Sequence, residues 1–114
     1  EDHTLSGKPK VDFDLNNGDV GNTNPGKVSL DPSRIQTNYK YAAVLFHEYR
    51  HAWQWIHKWD GWMKRYSNNA TKCFNLMERD AYWYQIQIGA GDTYEAYSRY
   101  ETYRKLTSSV KLPY

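Results

Sequence analysis

The sequence predicts one α+β domain in which a small antiparallel sheet precedes about three helices. Apolar and polar residues alternate in Val11–Leu15 and again in Lys27–Asp31, which is typical of half-buried strands. The Asn- and Gly-rich segment 16–26 between them predicts a long turn. Later segments carry helix start signals and the helical spacing of apolar residues instead. A chain of 114 residues forms one domain with a modest core, so we expect residues 1–114 to fold as a unit.

The first helix is predicted over about residues 38–58. Pro32 and a polar run precede it, and Thr37 or Asn38 can cap its first turn. At about 100° per residue, an apolar or aromatic stripe lies opposite His47, which allows the helix to bury its back. This stripe consists of Ala42, Leu45, Tyr49, Ala52 and Ile56.

Two further helices are predicted after the first. The segment Phe74–Gln85 has the pattern of a second helix, and a Gly-Ala-Gly break follows it. Asp92 and Glu95 form a capping box that opens a third helix, which ends near Leu106 and leaves 107–114 as an irregular tail. We expect the tryptophans to build the core between the first two helices: Trp53, Trp55, Trp59, Trp62 and Trp83.

The most specific motif is His47-Glu48-Tyr49-Arg50-His51, the His-Glu-x-x-His pattern of zinc peptidases. On a helix the two His side chains lie about 40° apart, so both can bind one metal ion. Glu48 projects beside them and can deprotonate a metal-bound water. Two imidazoles with a carboxylate favour zinc over other divalent ions. The motif therefore predicts a zinc site on the helix face opposite the apolar stripe.

A catalytic zinc site needs a third protein ligand from elsewhere in the chain. Two residues are candidates for it. Glu78 lies in the predicted second helix, and His57 follows His51 by six residues.

The motif resembles that of the zincin metallopeptidases, most closely their minimal, single-domain gluzincin members, and the resemblance implies a zincin-like fold. In gluzincins the third ligand is a Glu on a later helix, often followed three positions on by a small residue, as Glu78 is followed by Ala81. The 26 residues between His51 and Glu78 are enough for a loop that brings the chain back to the first helix. Many gluzincins have an Asp four positions after this Glu, where the present chain has Tyr82, with Asp80 two positions earlier.

In the metzincin branch the third ligand is a His at the position of His57. Metzincins turn the chain at a glycine before this His, and Gln54 stands at the glycine position here. If the helix continues through Gln54, His57 lies about 80° from His47, on the side away from His51 and more than two turns along. The resemblance therefore favours Glu78 as the third ligand and leaves His57 as the alternative.

The resemblance implies a zinc-dependent peptidase that hydrolyses peptide bonds with a metal-bound water activated by Glu48. It also implies a sheet over the metal helix whose edge strand binds extended substrate, and residues 27–31 are the candidate edge. A catalytically inactive zincin-fold domain, which binds metal for stability or for interaction with a partner, is the alternative. The candidate tyrosines for stabilising the oxyanion are Tyr82, Tyr84, Tyr94, Tyr97 and Tyr100.

Composition limits the partners. Fifteen Lys and Arg oppose 13 Asp and Glu, and a net charge of +2 is too small for the phosphate contacts of nucleic-acid binding. No apolar run reaches the length of a membrane span. We therefore expect a peptide or protein substrate and a monomeric chain. The single Cys73 excludes an intramolecular disulfide, and the start at Glu1 without Met fits a secreted or effector-borne domain as well as removal of a tag.

Overall fold

The computed structural model describes residues 10–111 and has the predicted α+β class. The position of Glu1 and the end of the predicted tail, 112–114, lie outside this range. None of the described helices combines the length and the apolar character that crossing a bilayer requires. The strands are β1 (Lys10–Asp12), β2 (Gly21–Asn24) and β3 (Lys27–Leu30), and the helices are α1 (Asn38–His57), α2 (Trp59–Arg65), α3 (Ala70–Ile88) and α4 (Thr93–Leu106).

The sheet is mixed, so the prediction of an antiparallel sheet is wrong for one of its two strand pairs. β3 is the central strand, pairing parallel with β1 and antiparallel with β2. The residues of β2, Gly-Asn-Thr-Asn, include no apolar side chain, which is why segment 16–26 has the pattern of a turn. Because β3 is central, residues 27–31 do not form an edge of the sheet. Among the strands within residues 10–111, the edge beside α1 is β2.

α1 begins and ends close to its predicted bounds. Thr37 is its N-cap, and its hydroxyl oxygen accepts the backbone N–H of Lys40 at 3.0 Å. The helix continues unbroken through Gln54 to His57. A segment that lacks glycine and proline keeps its hydrogen-bond ladder, so the chain does not turn at Gln54.

An apolar core joins the sheet to α1. Val28, Leu30 and Ala52 are fully buried, and Leu45 packs against them, which confirms part of the predicted apolar stripe. Ile56, at the end of that stripe, is largely exposed. Of the tryptophans, only Trp53 is buried, so the expectation that all of them build the core is wrong. The partly exposed ones are Trp55, Trp59, Trp62 and Trp83.

α3 packs against both α1 and α4 and so lies between them. It extends beyond the predicted Phe74–Gln85 at both ends, from an Asn69 cap to Gly89 in the left-handed conformation. Asp92 caps α4 as predicted, accepting backbone N–H groups of the first turn. The short helix α2 was not predicted, so residues 10–111 contain four α-helices rather than about three.

Candidate metal centre

The three favoured metal ligands lie together between α1 and α3. Nε2 of His51 lies 2.8 Å from Oε1 of Glu78, and Nε2 of His47 lies 3.3 Å from Oε2 of the same carboxylate. The two Nε2 atoms are 3.1 Å apart, and the imidazole rings meet at 87°. The structure therefore brings His47, His51 and Glu78 into one cluster, which we call the ligand cluster.

The separations within the ligand cluster fit the coordination of a zinc ion. Tetrahedral Zn²⁺ with nitrogen and oxygen ligands at about 2.0–2.1 Å places neighbouring ligand atoms about 3.3 Å apart. The two imidazole–carboxylate separations and the separation between the two imidazoles run from 2.8 to 3.3 Å. Two imidazoles and one carboxylate are also a ligand set that catalytic zinc sites use, with a further position left for water. The residues present therefore fit zinc.

Gln54 determines which ring nitrogen of His51 faces the cluster. Its Oε1 lies 2.8 Å from Nδ1 of His51, while its amide nitrogen donates to the Met77 carbonyl at 2.9 Å and to Oδ2 of Asp80 at 2.7 Å. A carbonyl and a carboxylate can only accept, so the amide oxygen of Gln54 must face the ring. Nδ1 of His51 therefore carries a proton and donates it, which leaves Nε2 directed at Glu78.

Gln85 plays the same part for His47. Its Oε1 lies 3.1 Å from Nδ1 of His47, and its amide nitrogen donates to the Ala90 carbonyl at 3.3 Å. Nδ1 of His47 is thus also the hydrogen-bond donor, with Nε2 directed at Glu78. The roles of both glutamines were not predicted from the sequence. The available signal was spacing, since Gln85 lies two helical turns after Glu78 and Gln54 nearly one turn after His51.

A buried ion pair extends this network away from the cluster. Nε and Nη2 of Arg50 donate to the two carboxylate oxygens of Asp80 at 2.7 and 3.1 Å, and both side chains are almost fully buried. The guanidinium also lies 3.8 Å from the centre of the Trp53 ring. Asp80 in turn accepts from Gln54, so the chain of contacts runs from Arg50 through Asp80 and Gln54 to His51.

Glu48 lies beside the ligand cluster and directly beneath β2. Its Oε1 accepts the hydroxyl of Thr23 at 2.7 Å, and the same hydroxyl lies 3.2 Å from the Glu48 main-chain oxygen. Gly21 makes this approach possible, since a Cβ at that position would lie 2.9 Å from Cγ of Glu48 and 3.1 Å from a methyl of Val44. Because β2 has the pattern of a turn, the roles of Gly21 and Thr23 were not predicted from the sequence.

The ligand cluster and Glu48 lie between two cavities. The larger, of about 720 Å³, opens toward the loop before β2 and the first turns of α4. The smaller, of about 230 Å³, lies toward the C-terminal half of α1. Gly21, Glu48 and Glu78 line both cavities, so an extended molecule that occupied both would pass over the cluster.

Tyr82 is the one tyrosine of the five oxyanion candidates that lines either cavity. Its ring lies 4.4 Å from the ring of His47, centre to centre. Tyr84 instead lies against the Arg50 guanidinium, Tyr94 and Tyr97 are exposed, and Tyr100 is buried. All five belong to the described residues, so the structure favours Tyr82.

His57, the alternative third ligand, is not part of the cluster. It is the last residue of α1 and is exposed, with its ring 5.5 Å from that of Trp53. The unbroken helix through Gln54 places it beyond reach of the ion that His47 and His51 could share.

Burial and the charges of the cluster oppose one another in setting its protonation. Burial alone would lower the pKa of His51, but the hydrogen bond and negative charge of Glu78 outweigh it and raise this pKa to about 9. Burial alone would raise the pKa of Glu78, but hydrogen bonds from His47 and His51 hold it well below its usual range. Burial, with the charge of Glu78, raises the pKa of Tyr82, which stays a neutral phenol. The cluster thus stabilises a positive charge among its Nε2 and carboxylate atoms.

Comparisons with known proteins do not assign the chain to a family. No family model matches it, and no curated protein and no solved structure matches it either.

Proposed function

We propose that this domain is a zinc-dependent peptidase of the zincin type, with His47, His51 and Glu78 as the zinc ligands and Glu48 as the general base. The observation that carries the proposal is the convergence of two Nε2 atoms and a carboxylate between two cavities, with Glu48 beside them. Structural zinc sites are usually closed by four protein ligands. Three protein ligands at the wall of a cleft are typical of a catalytic site.

A zinc ion held by these ligands would polarise a peptide carbonyl and lower the pKa of a water molecule. Glu48 would accept a proton from that water and deliver it to the leaving nitrogen. Thr23 holds Oε1 of Glu48, which orients the carboxylate and leaves Oε2 for proton transfer. Tyr82, at the wall of the larger cavity, would donate a hydrogen bond to the oxyanion.

The outer edge of β2, which pairs with no further strand among residues 10–111, favours a peptide as substrate beside Gly21. Along a strand, the main-chain N–H and carbonyl groups of successive residues point alternately to one side and to the other. The carbonyl of Val20 points to the β3 side, since it accepts the N–H of Asp31, which follows β3. The N–H and carbonyl of Gly21 therefore point away from β3, toward the cavities. Main-chain groups exposed beside Glu48 can pair with the backbone of an extended peptide, largely independently of its sequence.

The first test is the metal content of the purified domain, measured by elemental analysis with Glu78→Ala and His57→Ala as matched variants. The proposal predicts one zinc ion per chain, lost in Glu78→Ala and kept in His57→Ala. Absence of stoichiometric metal in the parent, even after zinc is supplied, would refute the proposal. Loss in His57→Ala alone would move the site to the metzincin arrangement.

The second test is cleavage of a mixed peptide library, with the zinc-loaded Glu48→Gln variant as the control. We expect cleavage by the parent and loss of cleavage in Glu48→Gln, which should retain its zinc because Glu48 is not a ligand. Zinc binding without cleavage by the parent would favour the alternative, a zincin-fold domain that binds metal for stability or for interaction.

A further inference from the structure

The smaller cavity forms an aromatic pocket beside the ligand cluster. Its apolar wall consists of Trp55, Phe74 and Met77, while Glu48 and Glu78 line the side next to the cluster. Its volume of about 230 Å³ is below the range of about 300–1,000 Å³ that holds drug-sized molecules. The pocket therefore has room for one large side chain.

The aromatic pocket exposes apolar surface in a fixed arrangement. Phe74 is 49% exposed although its neighbour Cys73 is fully buried. The Trp59 ring lies 4.5 Å from that of Trp55 and 5.0 Å from that of Phe74, centre to centre. The indole N–H of Trp55 donates to the main-chain oxygen of Thr23 at 3.2 Å, which ties the pocket wall to β2. Large apolar side chains held in place beside a reactive centre are typical of a specificity pocket.

The direction of β2 predicts which substrate residue enters this pocket. Of the β2 residues, Asn22 and Thr23 line only the aromatic pocket, whereas Asp19 and Val20, which precede the strand, line only the larger cavity. A peptide paired antiparallel with β2, the more stable pairing, would have its N-terminal half at the aromatic pocket. Its C-terminal half would lie in the larger cavity, with the scissile bond over the cluster between them.

We infer that the domain cleaves peptides on the C-terminal side of an aromatic or large aliphatic residue, whose side chain fills the aromatic pocket. Because Glu48 and Glu78 line the pocket themselves, its occupant is the residue that contributes the scissile carbonyl. The inference rests on the proposed peptidase function and adds the specificity of the site, with Phe74 as the residue that most directly sets it.

The test is to sequence the cleavage products of a mixed peptide library made by the zinc-loaded parent, Phe74→Glu and Phe46→Glu. Phe46 is a matched control, since it is 41% exposed on α1 and lines neither cavity. The parent should select aromatic and large aliphatic residues just before the scissile bond. Phe74→Glu should shift that preference to Lys and Arg at the same position, while Phe46→Glu should keep the preference of the parent.

Peptide binding to the zinc-loaded Glu48→Gln variant tests the pocket without turnover. Tryptophan fluorescence would be followed with two short peptides that differ only in a central Phe or Ala. We expect the Phe peptide to bind about tenfold more tightly, since burying the ring removes apolar surface from water. In that variant, Phe74→Glu should abolish the difference and Phe46→Glu should not.

The possible results distinguish a failure of the inferred specificity from a failure of the proposed peptidase function. Cleavage with the aromatic preference on the C-terminal side of the scissile bond would overturn the inferred direction. Cleavage with an unchanged preference in Phe74→Glu would overturn the pocket assignment, and in both cases the peptidase function would stand. Equal binding of the two peptides to zinc-loaded Glu48→Gln would also overturn the inference. Absence of cleavage by the zinc-loaded parent would overturn the proposed function together with the specificity derived from it.

Discussion

Replacing Gln54 with methionine should weaken zinc binding at the proposed site, although Gln54 is not one of the proposed ligands. Methionine keeps the length of the side chain and removes both its acceptor and its donors. In the parent, these groups meet Nδ1 of His51, Oδ2 of Asp80 and the carbonyl of Met77 within a fully buried environment. The variant therefore changes the hydrogen bonds around one ligand with little change in volume.

The three lost contacts differ in their consequences. Asp80 keeps its two bonds from Arg50, and Met77 lies within α3, where its carbonyl is part of the helix ladder. Nδ1 of His51, by contrast, loses the acceptor that Gln54 supplies. An unsatisfied buried donor costs about 1–3 kcal/mol of folding stability. Loss of such a contact to a ligand His lowers metal affinity about 10- to 100-fold, equivalent to about 1.4–2.7 kcal/mol.

The assay is competition for zinc against a chromophoric chelator, with thermal melting of the metal-free protein alongside. Gln87→Met, at an exposed position of α3, is the matched control and should bind zinc like the parent. Gln54→Glu retains an acceptor for Nδ1 of His51 but places a second carboxylate against that of Asp80. This variant should therefore be less stable than the parent, yet bind zinc more tightly than Gln54→Met. If Gln54→Met matched Gln87→Met in zinc affinity, the argument that Gln54 orients His51 would be refuted.

Three further predictions concern the surroundings of the cluster. Gly21→Ala places a methyl group against Glu48 and should lower peptide cleavage about 100-fold in a steady-state assay while zinc content stays stoichiometric; unchanged activity would show that the carboxylate has more room than the structure indicates. Arg50→Met removes the guanidinium that neutralises the buried charge of Asp80 and should cost about 3–5 kcal/mol in denaturant unfolding, and a loss below about 1 kcal/mol would contradict this reasoning. The folded-state pKa of His51, about 9, lies above its ordinary 6.5. The contribution of this shift to the free energy of unfolding is therefore fully present below pH 6.5 and is lost as the pH rises through about 9. The melting temperature of chelator-treated protein should therefore fall over that interval more steeply in the parent than in His51→Gln. Equal slopes would count against the raised pKa of His51.

The helical parts of the site were predictable because their signals are local. The spacing of His47 and His51 follows from helix geometry, and both lie on one face of α1 as expected. Glu78 was found because a third ligand was sought on a later helix. The capping residues Thr37 and Asp92 likewise act within three residues of their own positions, so the sequence alone indicated Asp92 and limited the cap of α1 to Thr37 or Asn38.

The contacts that the sequence analysis missed join residues far apart in the chain. Thr23 and Glu48 are separated by 25 residues, and Arg50 and Asp80 by 30. No periodicity within one element indicates such pairs, since each depends on how two elements pack. The edge position of β2 could not be predicted for the same reason, because β3 and α1 hold its polar residues in a strand that their own strand propensity would not form.

The hydroxyl of Thr23 has one proton and two acceptors within reach on Glu48, the carboxylate Oε1 at 2.7 Å and the main-chain oxygen at 3.2 Å. While the carboxylate is ionised, the proton points to Oε1. Once Oε2 of Glu48 has accepted a proton in the proposed reaction, Oε1 remains a carbonyl oxygen and still accepts the hydroxyl proton of Thr23. Both states of the base are then hydrogen-bonded without displacement of a heavy atom, so the change of charge needs little reorganisation of the site.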